Sequence, residues 1–127
     1  MTKKYRLQSM QSAQCHVVID INDETGHLER VGLVSYNTLV CEIFVGRPYR
    51  LACYGTYSVT TAKHINRFTT DFCGENLYYE CKKLVQGNPK YPYMPLTAKQ
   101  GLSCMQEAIR YYNDAFIMPV RKYFGKY

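Results

Sequence analysis

The stretch Tyr54–Phe72, Y-G-T-Y-S-V-T-T-A-K-H-I-N-R-F-T-T-D-F, constrains the fold most, because the hydrophobic period changes inside it. Before it, apolar residues alternate with polar ones, which is the period of a strand. From Thr60 onward they recur at the spacing of one helix face. Thr60 is the predicted N-cap, its hydroxyl placed to accept from a free amide of the first turn. Ala62, Ile65, Phe68 and Phe72 form the predicted apolar stripe, with His64 at its flank. Lys63, Asn66, Arg67 and Asp71 fall away from it, and Gly74 supplies a left-handed stop. A strand thus ends near Tyr57–Ser58 and a helix begins at once, set to cover the sheet made by the residues before it.

Those earlier residues read as an antiparallel meander. Cys15, Val17, Ile19 and Ile21 alternate with His16, Val18 and Asp20. Asn22–Gly26 is turn chemistry, His27–Ser35 is the returning strand with Gly32 as a candidate bulge, and Asn37 offers the next turn. Leu39, Cys41, Ile43 and Val45 alternate with Val40, Glu42 and Phe44, so both faces are apolar, as in a central strand. Gly46-Arg47-Pro48 turns the chain into a last strand, Tyr49–Tyr54. Connections this short favour antiparallel pairing. A further short strand is possible at Lys4–Gln8.

After Cys73 the chain is helical. Glu75–Gln86 is predicted as a second helix, its stripe formed by Leu77, Tyr78, Cys81, Leu84 and Val85 and its end by Gly87. Asn88–Leu96 holds Pro89, Pro92 and Pro95, which exclude helix and central strand and leave an extended connector. Thr97 and Gln100 form a capping box. The longest helix follows, with Leu102, Met105, Ile109, Tyr112 and Phe116 as its predicted buried stripe, until Pro119 ends it or opens a last turn at Val120–Tyr123. The predicted fold class is α+β: about four antiparallel strands over residues 15–54, then three helices on one face. All 127 residues make one domain, with 1–14 as an arm, 15–58 as the sheet and 60–127 as the helical half.

Segments Ser35–Ile43 and Tyr54–Phe72 also carry a resemblance. Ser35, Tyr36, Thr38 and Val40 fit S-Y-x-T-x-V, and Tyr57, Ser58, Thr60, Thr61, Lys63, His64, Ile65 and Phe68 fit Y-S-x-T-T-x-(basic)-H-I-x-x-F. This resembles small proteins of phages and plasmids of gut and Firmicute bacteria, a domain family without assigned chemistry. The resemblance covers the middle of the chain and nothing after Phe72. Some similar mobile-element proteins inhibit bacterial defence systems, CRISPR nucleases among them. The resemblance therefore implies a host protein or protein–RNA nuclease complex as partner, and the bacterial cytoplasm as location.

The residues themselves offer little catalysis. His64 has neither an orienting group nor a partner among His16 and His27, so it is expected to hydrogen-bond locally and fix the strand–helix junction. Ser58, Thr60 and Thr61 read as caps, and no nucleophile elbow or phosphate loop is present. Asp20, Asp23 and Glu24 read as a solvated turn, without the spacing of a calcium loop. The six cysteines lack the common zinc spacing and read as free buried thiols rather than disulfides or ligands. No cofactor, metal or membrane span is predicted, and the polar N-terminus lacks the apolar core of a signal peptide.

Binding is the better-supported class. The formal charge is +6, and there are thirteen tyrosines and no tryptophan. Residues 1–60 carry six basic and five acidic groups, a net of +1; residues 61–127 carry ten and five, a net of +5. Tyr91, Tyr93, Arg110, Tyr111, Arg121, Lys122, Tyr123 and Lys126 interleave rings with positive charge in that second half. Tyr and Arg dominate interface hot spots, and the same mixture stacks bases and holds phosphates. Two readings follow: a non-enzymatic protein that inhibits a host nuclease, or a basic nucleic-acid-binding accessory protein. Without a basic patch in view, the charge equally serves solubility.

Overall fold

The computed structural model describes residues 2–6, 15–22, 24–55 and 58–115. The alternating segments form one sheet. Its strands are β1 (Thr2–Arg6), β2 (Cys15–Ile21), β3 (Leu28–Ser35), β4 (Thr38–Phe44), β5 (Arg50–Cys53) and β6 (Tyr93–Pro95), all antiparallel and lying side by side in chain order. The helices are α1 (Val59–Cys73), α2 (Tyr78–Gly87) and α3 (Ala98–Ala115). The fold is α+β, a meander backed by three helices. It has two strands beyond the four predicted over residues 15–54. Residues 2–6 pair with β2 instead of forming an arm, overlapping the short strand read at Lys4–Gln8, and the proline-rich connector contributes β6.

The pleat separates two faces. Cys15, Val17, Ile19, Val31, Leu33, Cys41, Ile43, Leu51 and Cys53 are inaccessible to solvent and meet Ile65, Phe68, Phe72 and Cys104 in one core. Gly32 stays in register with Val18 and Glu42; the irregularity lies beside Val40, which the β3–β4 pairing skips. The bulge turns both Val40 and Cys41 inward. The hairpin before it is tight, with Tyr36 at φ 51° and Asn37 at φ 67°, the sign of a type I′ turn.

The N-cap of α1 is Ser58, two residues before the predicted Thr60. Ser58 is extended, at φ −119° and ψ 170°, and its hydroxyl accepts from the Thr61 amide at 3.1 Å, so Thr60 already lies inside the first turn. Thr61, His64, Ile65, Phe68, Thr69, Phe72 and Cys73 are buried, and Ala62 is left at the flank. Gly74 stops the helix at φ 79°. Helix α2 starts later than predicted, because Leu77 is buried and its amide donates to Thr69 Oγ1 at 3.0 Å.

In α3 the capping box forms as read: the Thr97 amide donates to Gln100 Oε1 at 2.8 Å, and the Gln100 amide to Thr97 Oγ1 at 3.1 Å. The buried face differs. Gly101, Cys104, Met105, Ala108 and Tyr111 turn inward, and Leu102 is 58% exposed. Small residues let the helix approach the sheet: a Cβ on Gly101 would lie 2.6 Å from Cδ1 of Tyr49. The Tyr112 side chain, Phe116, Pro119 and the last predicted turn lie outside the described residues.

Cys53 and Cys81 form a disulfide across β5 and α2, with Cα atoms 5.3 Å apart, which corrects the reading of six free thiols. The two positions are 28 residues apart, and the pairing arises only because α2 packs on β5. Cys15, Cys41, Cys73 and Cys104 are free and buried. Burial pushes the thiols of Cys15 and Cys73 up to about 12 and raises Cys41 and Cys104 as well, so all four stay protonated and inert.

Candidate functional site

The predicted binding residues separate. Tyr91 is 70% exposed on the connector and Tyr93 is 40% exposed on β6. Arg110 lies outside the core on α3, with Nε and Nη2 forked onto the carboxylate of Glu107 at 2.7 and 2.8 Å, so a carboxylate within its own helix already meets its charge. Tyr111 is a core ring and not a surface one: it is 2% exposed and stacks on Phe72 at 5.4 Å. Arg121, Lys122, Tyr123 and Lys126 lie outside the described residues.

Around Tyr93 the structure gathers residues that the sequence reading left in strands. On the face of the sheet away from the helices, Phe44 stands opposite Arg50, and Glu42 and Tyr93 both stand opposite Ala52. The small Ala52 lets rings meet across β5. The centroids of Tyr93 and Phe44 are 6.0 Å apart, and the Arg50 guanidinium sits 5.7 Å over the Phe44 ring. Such a cation–ring contact contributes about 0.5–1 kcal/mol at an exposed site. Beside it the Tyr54 hydroxyl donates to Glu42 Oε1 at 2.5 Å, and burial together with that bond raises the phenol's pKa. The result is a corner of rings and an exposed cation, with side chains held by one another. The alternation of β4 carried a signal for it, since Phe44 falls out of phase with Cys41 and Ile43.

This corner also sits at a closed edge. The Cys53 amide donates to Pro92 O, and the Leu96 amide to Tyr49 O, so alternate residues of β6 face β5. Tyr93 and Pro95 therefore face outward. The Tyr93 amide is taken by Tyr91 O at 2.8 Å and Pro95 has none, so this edge offers no amide to an added strand. A contact made at this edge would fall to side chains.

A second cluster joins the two segments that carry the family resemblance. Ser35 Oγ lies 2.7 Å from His64 Nδ1 and 3.2 Å from Thr61 Oγ1, and Ser58 Oγ donates to Thr61 Oγ1 at 3.2 Å. The partner of His64 is thus Ser35 at the end of β3, not a local group as expected. His64 is fully buried and Ser35 is 2% exposed. His64 Nε2 has no partner among the described residues. A serine within reach of an imidazole has the outline of a nucleophile and base. Among the described residues no carboxylate orients the ring, burial lowers its pKa, and both residues are buried. The cluster serves as a clasp that ties the β3–β4 turn to the start of α1.

Among the described residues no group of three or more His, Cys, Asp or Glu is placed to hold a metal ion, and no helix is long and apolar enough to cross a membrane. Fold and site together define an α+β protein whose open sheet face carries a ring-and-cation corner at one edge. More narrowly, the chain belongs to DUF8033, a family of unknown function that matches residues 5–87, well past Phe72. No curated protein and no solved structure matches it. The family segment contains the Ser35–His64 clasp, both disulfide cysteines, Phe44 and Arg50. It ends before Tyr91, β6 and α3.

Proposed function

We propose that this is a non-enzymatic binding protein of a phage or plasmid that holds and inhibits a host defence nuclease in the bacterial cytoplasm. The observation that carries the reading is the corner of Phe44, Arg50, Tyr54 and Tyr93, where rings and a guanidinium are presented on paired strands. Side chains held this way lose little entropy when a partner arrives, and Tyr and Arg are the residues that most often concentrate binding energy. The Ser35–His64 pair supports binding over hydrolysis, because both residues are buried in the junction between β3 and α1. The resemblance to mobile-element proteins supplies the class of partner. Both disulfide cysteines are fully buried, which shields the bond from cytoplasmic thiols.

The experiment is gel filtration of the protein with purified CRISPR nuclease–guide complexes, beside free DNA and free RNA across a salt series. Co-elution with a nuclease complex that withstands salt is the expected result. Binding to free nucleic acid that falls steeply with salt would instead favour the nucleic-acid reading. Co-elution with neither would sink both.

A further inference from the structure

An apolar groove of about 580 Å³ lies between the β4–β5 loop and the first turns of α3, within the size range of ligand sites. Val45, Pro48, Tyr49, Leu96, Leu102 and Met105 form its walls. Leu102 is the residue left facing solvent when α3 buries Gly101 against Tyr49, so one wall of the groove is an exposed leucine. The groove lies on the opposite face of the sheet from the corner. Phe44, Arg50 and Pro95 stand in one row across β4, β5 and β6, and the next residues along, Val45, Tyr49 and Leu96, point the other way and line the groove.

Its charge has one sign. None of the lining residues is acidic, and Arg47 stands among them. Arg47 is exposed, and so is Lys99, which follows the lining residue Ala98 in the first turn of α3. The α3 N-terminus, with Thr97 and Ala98 in the lining, adds the positive end of a helix dipole. On neighbouring segments, Glu29 and Glu75 accept hydrogen bonds from Asn22 and Gln100.

From these features we infer that the groove receives one large apolar side chain of an acidic peptide segment in a protein partner, with the segment's carboxylates over Arg47 and the N-terminus of α3. The inference rests on the binding reading above and adds the chemistry of the partner. The apolar walls select the anchor, and the positive groups select its flanks.

The test is selection of a random-peptide display library on the whole protein, followed by fluorescence anisotropy with the enriched peptides. Enriched sequences should place an aromatic or large aliphatic residue beside Asp or Glu. Leu102→Lys and Arg47→Glu should each weaken them at least tenfold, and Lys83→Glu, at an exposed position on α2, should leave them unchanged. All three positions are exposed, and an unaltered circular dichroism spectrum identifies folded variants. No enrichment, enrichment without the acidic–apolar pattern, binding that survives Leu102→Lys, or equal loss with Lys83→Glu would each overturn the inference. Displacement of the peptide by dodecanoate at equal affinity would assign the groove to a small amphiphile and overturn it too. The nuclease experiment stands apart. If it fails while acidic peptides bind, the nuclease partner falls and the groove remains; the reverse outcome removes the groove alone.

Discussion

Ser35→Ala is the sharpest test of the clasp. The substitution removes one oxygen from a buried site, but that oxygen is the partner of His64 Nδ1 at 2.7 Å. Thr61 keeps its bond to Ser58, so the loss falls on the histidine. Its Nε2 already lacks a partner among the described residues, and the variant would bury both ring nitrogens without one. A buried polar group stripped of its partner costs about 1–3 kcal/mol, and the same range is expected for Ser35→Ala. Replacing both members by apolar groups removes the unmet demand. Ser35→Ala with His64→Leu should therefore be less destabilised than the sum of the two single variants by about 1 kcal/mol or more. Urea unfolding followed by circular dichroism measures all four proteins. Additivity within about 0.5 kcal/mol, the behaviour of independent sites, would refute the coupling, and so would a Ser35→Ala variant as stable as the wild type.

Three further outcomes follow. Burial lowers the His64 pKa from its ordinary value of 6.5, so the unfolded chain binds a proton that the folded protein refuses. Stability is then full above that value and falls as pH drops through it, by up to about 1.4 kcal/mol per pH unit; His64→Leu should reduce the slope between pH 6.5 and 5, and an unchanged slope would contradict the burial. Alkylation of the denatured, unreduced protein should label the four free cysteines and spare Cys53 and Cys81, while Cys81→Ala should lower stability by about 3–4 kcal/mol from loop closure alone; labelling of all six would exclude the bond. Tyr111→Ala should cost about 3–5 kcal/mol, in line with large aromatic truncations in cores, whereas Arg110→Ala should stay within about 0.5–1 kcal/mol, as for an exposed ion pair; equal effects would undo the placement of Tyr111.

Much of the fold was legible because the sheet face and helix stripes impose periods that a sequence displays. Cys15–Ile21 alternates cleanly, and Thr97 with Gln100 announces the start of α3 by local chemistry. What was hidden depends on partners distant in the chain. Tyr93–Pro95 is too short to show a period and becomes a strand by pairing with Arg50–Cys53. The α3 stripe was read one residue out of phase because Gly101, Cys104 and Ala108 are small, and close approach to Tyr49 outweighs the larger but exposed Leu102. Tyr111 was counted as a surface ring for the same reason. The candidate site was half visible. Tyr91 and Tyr93 stood out among the prolines, but Phe44 and Arg50 join Tyr93 only across β5, and no spacing within one segment reports that.

The central claim is that the protein acts by binding through its ring-and-cation corner, and inhibition of DNA cleavage tests it directly. Wild-type protein and the Arg50→Ala/Tyr93→Ala variant would be titrated into cleavage reactions of the purified nuclease–guide complex that co-elutes with it. Both residues are exposed, so the variant should keep its fold. The wild type should suppress cleavage near equimolar ratio. The variant should need at least tenfold more, in line with the loss of about 1–3 kcal/mol that hot-spot residues carry. A wild type that leaves cleavage untouched, or a variant that inhibits equally well, would contradict the account.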